Sequence, residues 1–310
     1  MALAIIMYFN FIKNRKIFFV ISITLVALSI SAVLFFGLNL GIDFTGGATF
    51  GVNYQTKVPD FSEVQQVLAP LGLGEITLQK SGERGLVLKS KSITENQYGE
   101  ILGILGGLGD IEEGSENFQS IGPLIGNELK QKTNIVIVLA IIAILLYIAV
   151  SFRKMSRPIK SYVYSVAGVV ALFHDLLIPL GIFAVLGKLY GVEINIPIIT
   201  AFLTVFGYSI NDTVVVLDRI RENLIKNKTG DFAEAINDSL NQTFARSVNT
   251  SLTVLIVLSC LFIFGGEALR YFALTLLLGV GVGTYSSIFL VSPLVFSYTL
   301  AKQKRALRIK

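Results

Sequence analysis

The sequence predicts a polytopic α-helical membrane protein: six transmembrane helices, with one extracytoplasmic α+β domain of ferredoxin-like order, βαββαβ, between helices 1 and 2. Three observations carry this. Of 310 residues 53% are hydrophobic and only 15% charged, where a soluble domain usually carries about 25% charge, and the mean hydropathy is +0.69. Six stretches, 17–38, 133–152, 161–186, 194–217, 247–264 and 271–300, meet the requirement of roughly 20 predominantly apolar residues per span. Between the first two lies the polar segment 39–132, in which strand-like and helix-like patterns alternate.

The first span follows the basic residues Lys13, Arg15 and Lys16. Its apolar run exceeds the 7–15 residues of a signal-peptide core and no small-residue cleavage site follows, so it is expected to remain as an uncleaved span. Lys and Arg number three before it, four in 153–160, five in 218–246 and five in 301–310; the other side has Lys188, Arg270 and seven spread over 39–132. By the positive-inside rule both termini are cytoplasmic and 39–132 faces outward. That segment has twelve Asp and Glu against its seven Lys and Arg. The net charge of +5 thus reflects topology and contact with anionic membrane lipid, with no need for nucleic acid. Cys260 stands alone, which excludes an intrachain disulfide and any CxxC metal spacing.

In chain order, residues 1–38 form the cytoplasmic N-terminus and first span, and 39–132 the outer domain. It opens on GIDFTGG, Gly41 to Gly47. The motif reads either as a plain turn, with Asp43 at the interface, or as a shaped exit from the membrane that Gly41, Gly46 and Gly47 make sterically accessible. GATFGVNY is strand-like, DFSEVQQVLAPLG helical after an Asp60 cap, and EITLQK and GLVLKS are strands around the Ser81–Gly82 turn. Thr94–Leu108 is helical, though Gly103, Gly106, Gly107 and Gly109 weaken it, and Ile111–Ile121 is a final strand. Pro123 then suits a first helical position, and Gly126 allows close packing before the chain re-enters the membrane.

Residues 133–300 form the bundle of spans two to six. The third span holds the single histidine, His174, beside Asp175. Adjacent helical positions point about 100° apart, so the two are not expected to share one face fully. Pro179 is expected to kink this helix. The fourth span carries Asp212, a placement that costs about 2.5 to 3.5 kcal/mol on insertion scales and usually marks a protein interior or a wet path. Ser209, Asp212 and Thr213, at i, i+3 and i+4, make one polar stripe with Asn211 flanking it. Asp212 should lie about 27 Å along its helix, and His174 about 20 Å from the cytoplasmic start of its own, so the two acidic positions are staggered in depth.

Asp218, Arg219, Arg221 and Glu222 read as a solvated helix end. Between spans four and five, Asp231 and Glu234 have capping spacing. Phe232, Ile236, Leu240 and Phe244 follow at i, i+4 steps, as in an amphipathic helix lying along the cytoplasmic face within 218–246. Arg246, Asn249, Thr250 and Thr253 then share one face of span five. Arg246 reads equally as an ion-pair partner for Asp212 or as a snorkelling arginine. Span six has no charges, its Gly279, Gly281 and Gly283 permit close helix contact, and the tail 301–310 is basic.

Five motifs in this order, GIDFTGG, FQSIGPLIGNEL (118–129), ALFHDLLIP (171–179), GYSINDTVVVLDRIREN (207–223) and RSVNTSLTVL (246–255), closely resemble the SecD/SecF family of bacterial protein-export membrane proteins, within the RND superfamily. The resemblance is to the SecF side, over nearly the whole chain, as a single half with no SecD part fused ahead of it. It implies a bacterial cytoplasmic (inner) membrane location and pairing with SecD, a homologous six-span protein, in a pseudo-symmetric unit. It also implies association with the SecYEG channel and often YajC, and inward proton flow that drives the outer domains to draw unfolded preproteins from the channel. Asp212 and Arg246 match the family's proton-path residues, and SecD supplies a further aspartate. Protons are then the coupling ion, with no cofactor, no metal and no covalent catalysis. His174 and Asp175, with Asn211, Asn249 and Thr250, remain open as relay or structural polar groups.

Two other classes compete. An intramembrane aspartyl protease would use Asp175 and Asp212 as a dyad, but the expected stagger in depth and the lack of a GxGD motif around GYSIND oppose it. Half of an RND-type lipid or drug exporter would need an apolar ligand pocket that the single small outer domain does not suggest.

Overall fold

A computed structural model describes residues 8–74, 76–91, 93, 95–153, 159–226 and 231–308. Glu75, the expected helix start at Thr94, the basic loop 154–158 and the chain ends 1–7 and 309–310 lie outside them. Six of its helical stretches are long and apolar enough to cross a membrane. They are α1 (Arg15–Phe36), α5 (Pro123–Phe152), α6 (Ser161–Tyr190), α7 (Ile196–Lys226), α8 (Phe232–Phe264) and a last span made of α9 (Glu267–Ser286), a π-helical turn (Ser287–Val291) and α10 (Ser292–Arg308). The chain divides into two compact units, one of residues 1–38, 137–189 and 197–310, the other of 39–136 and 190–196.

The smaller unit contains α2 (Ile42–Thr45), β1 (Gly47–Asn53), α3 (Phe61–Leu68), β2 (Ile76–Ser81), β3 (Gly85–Ser90), α4 (Glu95–Gly107) and β4 (Asn117–Ile121). The strands form one antiparallel sheet in the order β2-β3-β1-β4, so β3 lies between β1 and β2 as in a split βαβ arrangement. Alternate residues Ala48, Phe50, Val52 and Tyr54 turn inward, with Leu86 and Leu88 from β3. Val64 and Leu68 of α3 and Ile101 and Leu105 of α4 close the core above them. That i, i+4 pair explains why α4 forms despite its glycines, because burial outweighs the roughly 1 kcal/mol each glycine costs. The Tyr54 hydroxyl donates to the Leu105 carbonyl at 3.2 Å, and burial pushes its phenol up to about 12. Asp60 caps α3 through the Ser62 N–H. The last strand is shorter than expected: Ile111 makes only a lone bridge to Tyr54, and a turn at Gly114, φ 75°, separates it from β4.

In the larger unit α6, α7 and the last span are the most buried, while α1 and α5 turn large apolar side chains such as Leu34 and Leu146 outward. Helix α6 continues through Pro179. Close approach is made where side chains are missing. A Cβ on Gly279 would fall 2.1 Å from Val205 of α7, and one on Gly181 would strike Ser29 of α1, whereas Gly281 faces open space.

The amphipathic segment after span four departs from expectation. It is continuous with span five in the single 33-residue helix α8, capped by Asp231 through the Ala233 N–H. Its apolar positions Ile236 and Leu240 are filled by the bundle core. Its Asn237 and Asn241 amides bond the Phe9 and Phe11 backbone, which seats Phe11 and Ile12 in the same core. A helix with a protein-filled groove does not need a lipid surface for its apolar face.

Candidate functional site

Helix α6 brings His174 and Asp175 inside the bundle, 4% and 1% exposed. The adjacent side chains do meet, contrary to the angular expectation: His174 Nδ1 lies 2.9 Å from Asp175 Oδ1. Rotamer choice lets the tips of two adjacent side chains meet although their Cα–Cβ bonds diverge by about 100°. Asp175 Oδ2 accepts from Ser209 of α7 and, at 2.7 Å, from Ser286 at the end of α9. Gly283, one turn before Ser286, makes room for this: a Cβ there would lie 3.2 Å from Ser209 and 3.5 Å from Asp175 Oδ2. The His174 ring stacks on Tyr285 at 6.1 Å, and Tyr285 donates to the Phe18 carbonyl of α1.

Asp212 is only half-buried. Its Oδ1 accepts from Ser247 of α8 and its Oδ2 from Ser287 of the last span, both at 2.6 Å. The expected stripe is therefore divided, Ser209 serving Asp175, Asp212 facing α8 and the last span, and Thr213 buried without a hydrogen-bond partner. The stagger in depth shrinks to about one turn, since Asp175 is bonded at the level of Ser209, three residues or about 4.5 Å before Asp212. Even so the two carboxylates are held by different serines, and no hydrogen bond joins them.

The two sites meet in sequence at Ser286 and Ser287, where the last span passes from α-helix into the π turn, a distortion frequent at functional sites. Each hydroxyl has two acceptors within reach. Ser286 lies 3.1 Å from the Gly283 carbonyl and Ser287 3.0 Å from that of Thr284, besides their carboxylates. A hydroxyl carries a single proton, so it donates to one at a time or shares it between them.

Arg246 makes no ion pair with Asp212 here, and it is exposed together with Asn249, Thr250 and Thr253. The inward face of α8 is carried instead by Ser247 and Ser251, the latter bonded by Tyr208 and Thr284. Asn211 is also exposed. Sequence reasoning missed the serines. Hydroxyls are ordinary in membrane helices, and only their offset from Asp175 and Asp212 on partner helices, which the linear chain does not display, singles them out. In the smaller unit Asp43 Oδ2 accepts the Ile196 N–H at 2.8 Å, with Gly41, Gly46 and Gly47 around it. Among the described residues no three His, Cys, Asp or Glu side chains cluster as metal ligands do.

Six helices long and apolar enough to span a membrane, carrying one buried and one half-buried carboxylate each bonded by two serines, together with a unit built on a small antiparallel sheet, define a multi-pass membrane protein of the transport type. The chain belongs to the SecD/SecF family of protein-export membrane proteins. The family profile "Protein export membrane protein SecD/SecF, C-terminal" matches residues 107–301, and the SecD/SecF GG motif matches 31–58. Proteins named "Protein translocase subunit SecF" from Thermobaculum terrenum and Magnetococcus marinus are 39% and 41% identical, covering 93% of this chain and 93% and 91% of theirs. Among solved structures, SecDF from Thermus thermophilus, a translocon-associated membrane protein, matches 96% of this chain with a TM-score of 0.82 at 33% identity. SecDF in a super-membrane-facing form matches with 0.64 at 30%. The chain spans 40% of the length of each SecDF chain.

Proposed function

We propose that this chain is a SecF-type subunit of the Sec translocase that pairs with SecD and takes up and releases protons at Asp212 to assist late export of preproteins. The observation that carries the reading is the setting of Asp212, a half-buried carboxylate inside a spanning helix, bonded only by two neutral hydroxyls. A charge so placed is costly, and such residues usually mark a functional path. When the carboxylate takes a proton it becomes a donor, and Ser287 can turn its own proton to the Thr284 carbonyl at the π turn. Protonation is thereby converted into a change in helix bonding. One charge crossing the membrane potential supplies roughly 2.3 kcal/mol per 100 mV, enough to bias a two-state motion.

Arg246, Asn249, Thr250 and Thr253 support the pairing. They form a polar face on a spanning helix, exposed in the isolated chain, and such a face is expected against protein or water, not lipid. A SecD partner covering it would bring its own groups to Arg246 and Asp212. The distribution of Lys and Arg supports cytoplasmic termini with the small sheet outside, and the family reading supports a bacterial inner membrane. Partnership with SecYEG and YajC and weak contact with unfolded chains follow from the family reading, with protons as the coupling ion and no cofactor.

The test uses membrane vesicles containing SecYEG, SecD and this chain, with completion of preprotein translocation measured with and without a proton gradient. Asp212→Asn keeps the size and hydrogen bonding but not the titrating proton, and is expected to lose the gradient-stimulated part at normal complex levels. Full retention of that part would make Asp212 a structural polar residue and refute the proton-driven reading.

A further inference from the structure

Nothing in the proton-coupling scheme uses GIDFTGG, yet each part of the motif has a defined contact in the smaller unit. Leu40 pairs with Ile194 as a parallel bridge, the Gly41 N–H donates to the Ile194 carbonyl at 2.9 Å, and the Ile194 N–H donates to Asn39 at 2.7 Å. The Asn39 amide reaches the Gly191 and Val192 carbonyls. Lys89 of β3 pairs with Glu193 at 2.6 Å and also bonds Gln79 of β2. The segment 190–196 is thus sewn to the motif on one side and to the sheet on the other.

Three glycines close the knot. Gly46, φ 69°, would place a Cβ 3.0 Å from Pro123, the first residue of α5, and a Cβ on Gly126 would fall 2.8 Å from the Gly46 nitrogen. Gly47, φ 127°, would strike the Ser90 carbonyl at 2.9 Å. No other residue fits where the backbone is left-handed and crowded at once.

Within this knot lies Asp43. Its carboxylate accepts the N–H of Ile196, the first residue of α7, from 153 residues away in sequence. The first N–H groups of a helix have no partner within the helix, Pro197 removes the next one, and a carboxylate at this end also complements the helix dipole. We propose that Asp43 is a positioning residue that fixes the N-terminus of α7 to the sheet-bearing unit, so that displacement of that unit is transmitted along α7 to Asp212. Ile196 is itself part of the smaller unit, and Asp212 follows sixteen residues later on the same unbroken helix, about 24 Å along its axis. GIDFTGG on this view is a mechanical tie: its glycines admit the backbone of α5 and β3, and its aspartate grips α7.

This inference rests on the proton-coupling reading, and the test separates the two. Asp43→Ala, Asp43→Asn and Asp212→Asn are compared in the same vesicles for gradient-stimulated export and for proton entry through the complex, followed with an internal pH dye. Asp43→Ala is expected to lose most of the gradient-stimulated export while proton entry continues, an uncoupling that a merely destabilised helix would not give. Asp43→Asn, which retains an acceptor oxygen, is expected to restore most of the export. Unchanged export in Asp43→Ala, loss of proton entry together with export, or an Asp43→Asn variant as defective as the alanine would each overturn the proposal. Full gradient response in Asp212→Asn would instead sink the proton reading. Should Asp43→Ala not assemble, hydrogen exchange at the Ile196 amide in the wild-type chain decides: protection supports the tie, and exchange as fast as an unstructured amide overturns it.

Discussion

Asp175 and Asp212 lie on neighbouring helices, and each accepts from two serine hydroxyls, one of them from the consecutive pair Ser286 and Ser287. The surroundings differ. Asp175 is 1% exposed and has a third partner in His174, which is itself buried against Tyr285. Asp212 is half-buried, lacks that imidazole, and belongs to the part of the bundle where α8 turns Arg246 and its polar neighbours outward. The serine bonding is matched, but the third partner and the burial are not, and that difference is the ground for proposing Asp175 as a brace and Asp212 as the titrating group. A fully surrounded carboxylate holds helices together, because every donor around it would be stranded by its loss, whereas one at a rim can exchange a proton with water or with a partner's groups.

The largest effect that sharpens this contrast is expected at Asp175. Asp175→Ala leaves His174, Ser209 and Ser286 without their acceptor in an apolar interior, which should cost on the order of 3 kcal/mol, seen as a lowered thermal unfolding midpoint of the purified chain in detergent. Asp175→Asn keeps an acceptor oxygen and should preserve most of the stability and the gradient-stimulated export. A stable Asp175→Asn protein that had lost that export would put both carboxylates on the proton path and erase the distinction.

A smaller effect on stability, about 1 kcal/mol for each hydroxyl removed, is expected at the two serines, which should differ in export. Ser286→Ala should lower the unfolding midpoint and spare gradient-stimulated export. Ser287→Ala should lower the midpoint by a similar amount and also reduce gradient-stimulated export, because it removes the group proposed to turn between Asp212 and the Thr284 carbonyl. Identical behaviour of the two variants would break the comparison, showing the pair to be simple packing.

Much of this architecture is legible in the chain. The six apolar runs, the βαββαβ order and Pro123 at a helix start follow from local rules: hydropathy, period-two alternation and the tolerance of proline at a first helical position. Asp212 announced itself because a charge among apolar neighbours is rare. What stayed hidden depends on pairing between distant segments. Nothing local says that Ser287 rather than Arg246 would bond Asp212, that Asn237 and Asn241 would bind the backbone of Phe9 and Phe11, or that Asp43 would serve a helix starting at Ile196. The final strand was overestimated for a related reason. Ile111 has strand character, but Gly114 and its turn end the pairing with Tyr54 after one bridge.

The smallest effect tests whether the Asp175 pocket is as tightly closed as its contacts suggest. Gly281 and Gly283 lie two residues apart on α9, hence on different faces. Alanine at Gly281 meets open space and should gain up to about 1 kcal/mol from helix propensity. Alanine at Gly283 has the same propensity gain, but its methyl group would stand 3.2 Å from Ser209 and 3.5 Å from Asp175 Oδ2. Crowding of that degree usually costs about 1 kcal/mol or more in a packed core, so the two terms should nearly cancel. The measurable quantity is the gap between the unfolding midpoints of the two variants, with Gly281→Ala the higher, and neither should alter gradient-stimulated export if Asp212 alone titrates. A Gly283→Ala protein as stable as Gly281→Ala would mean that the pocket yields easily, and a yielding pocket could let water reach Asp175, which would remove the physical ground for treating the two carboxylates differently.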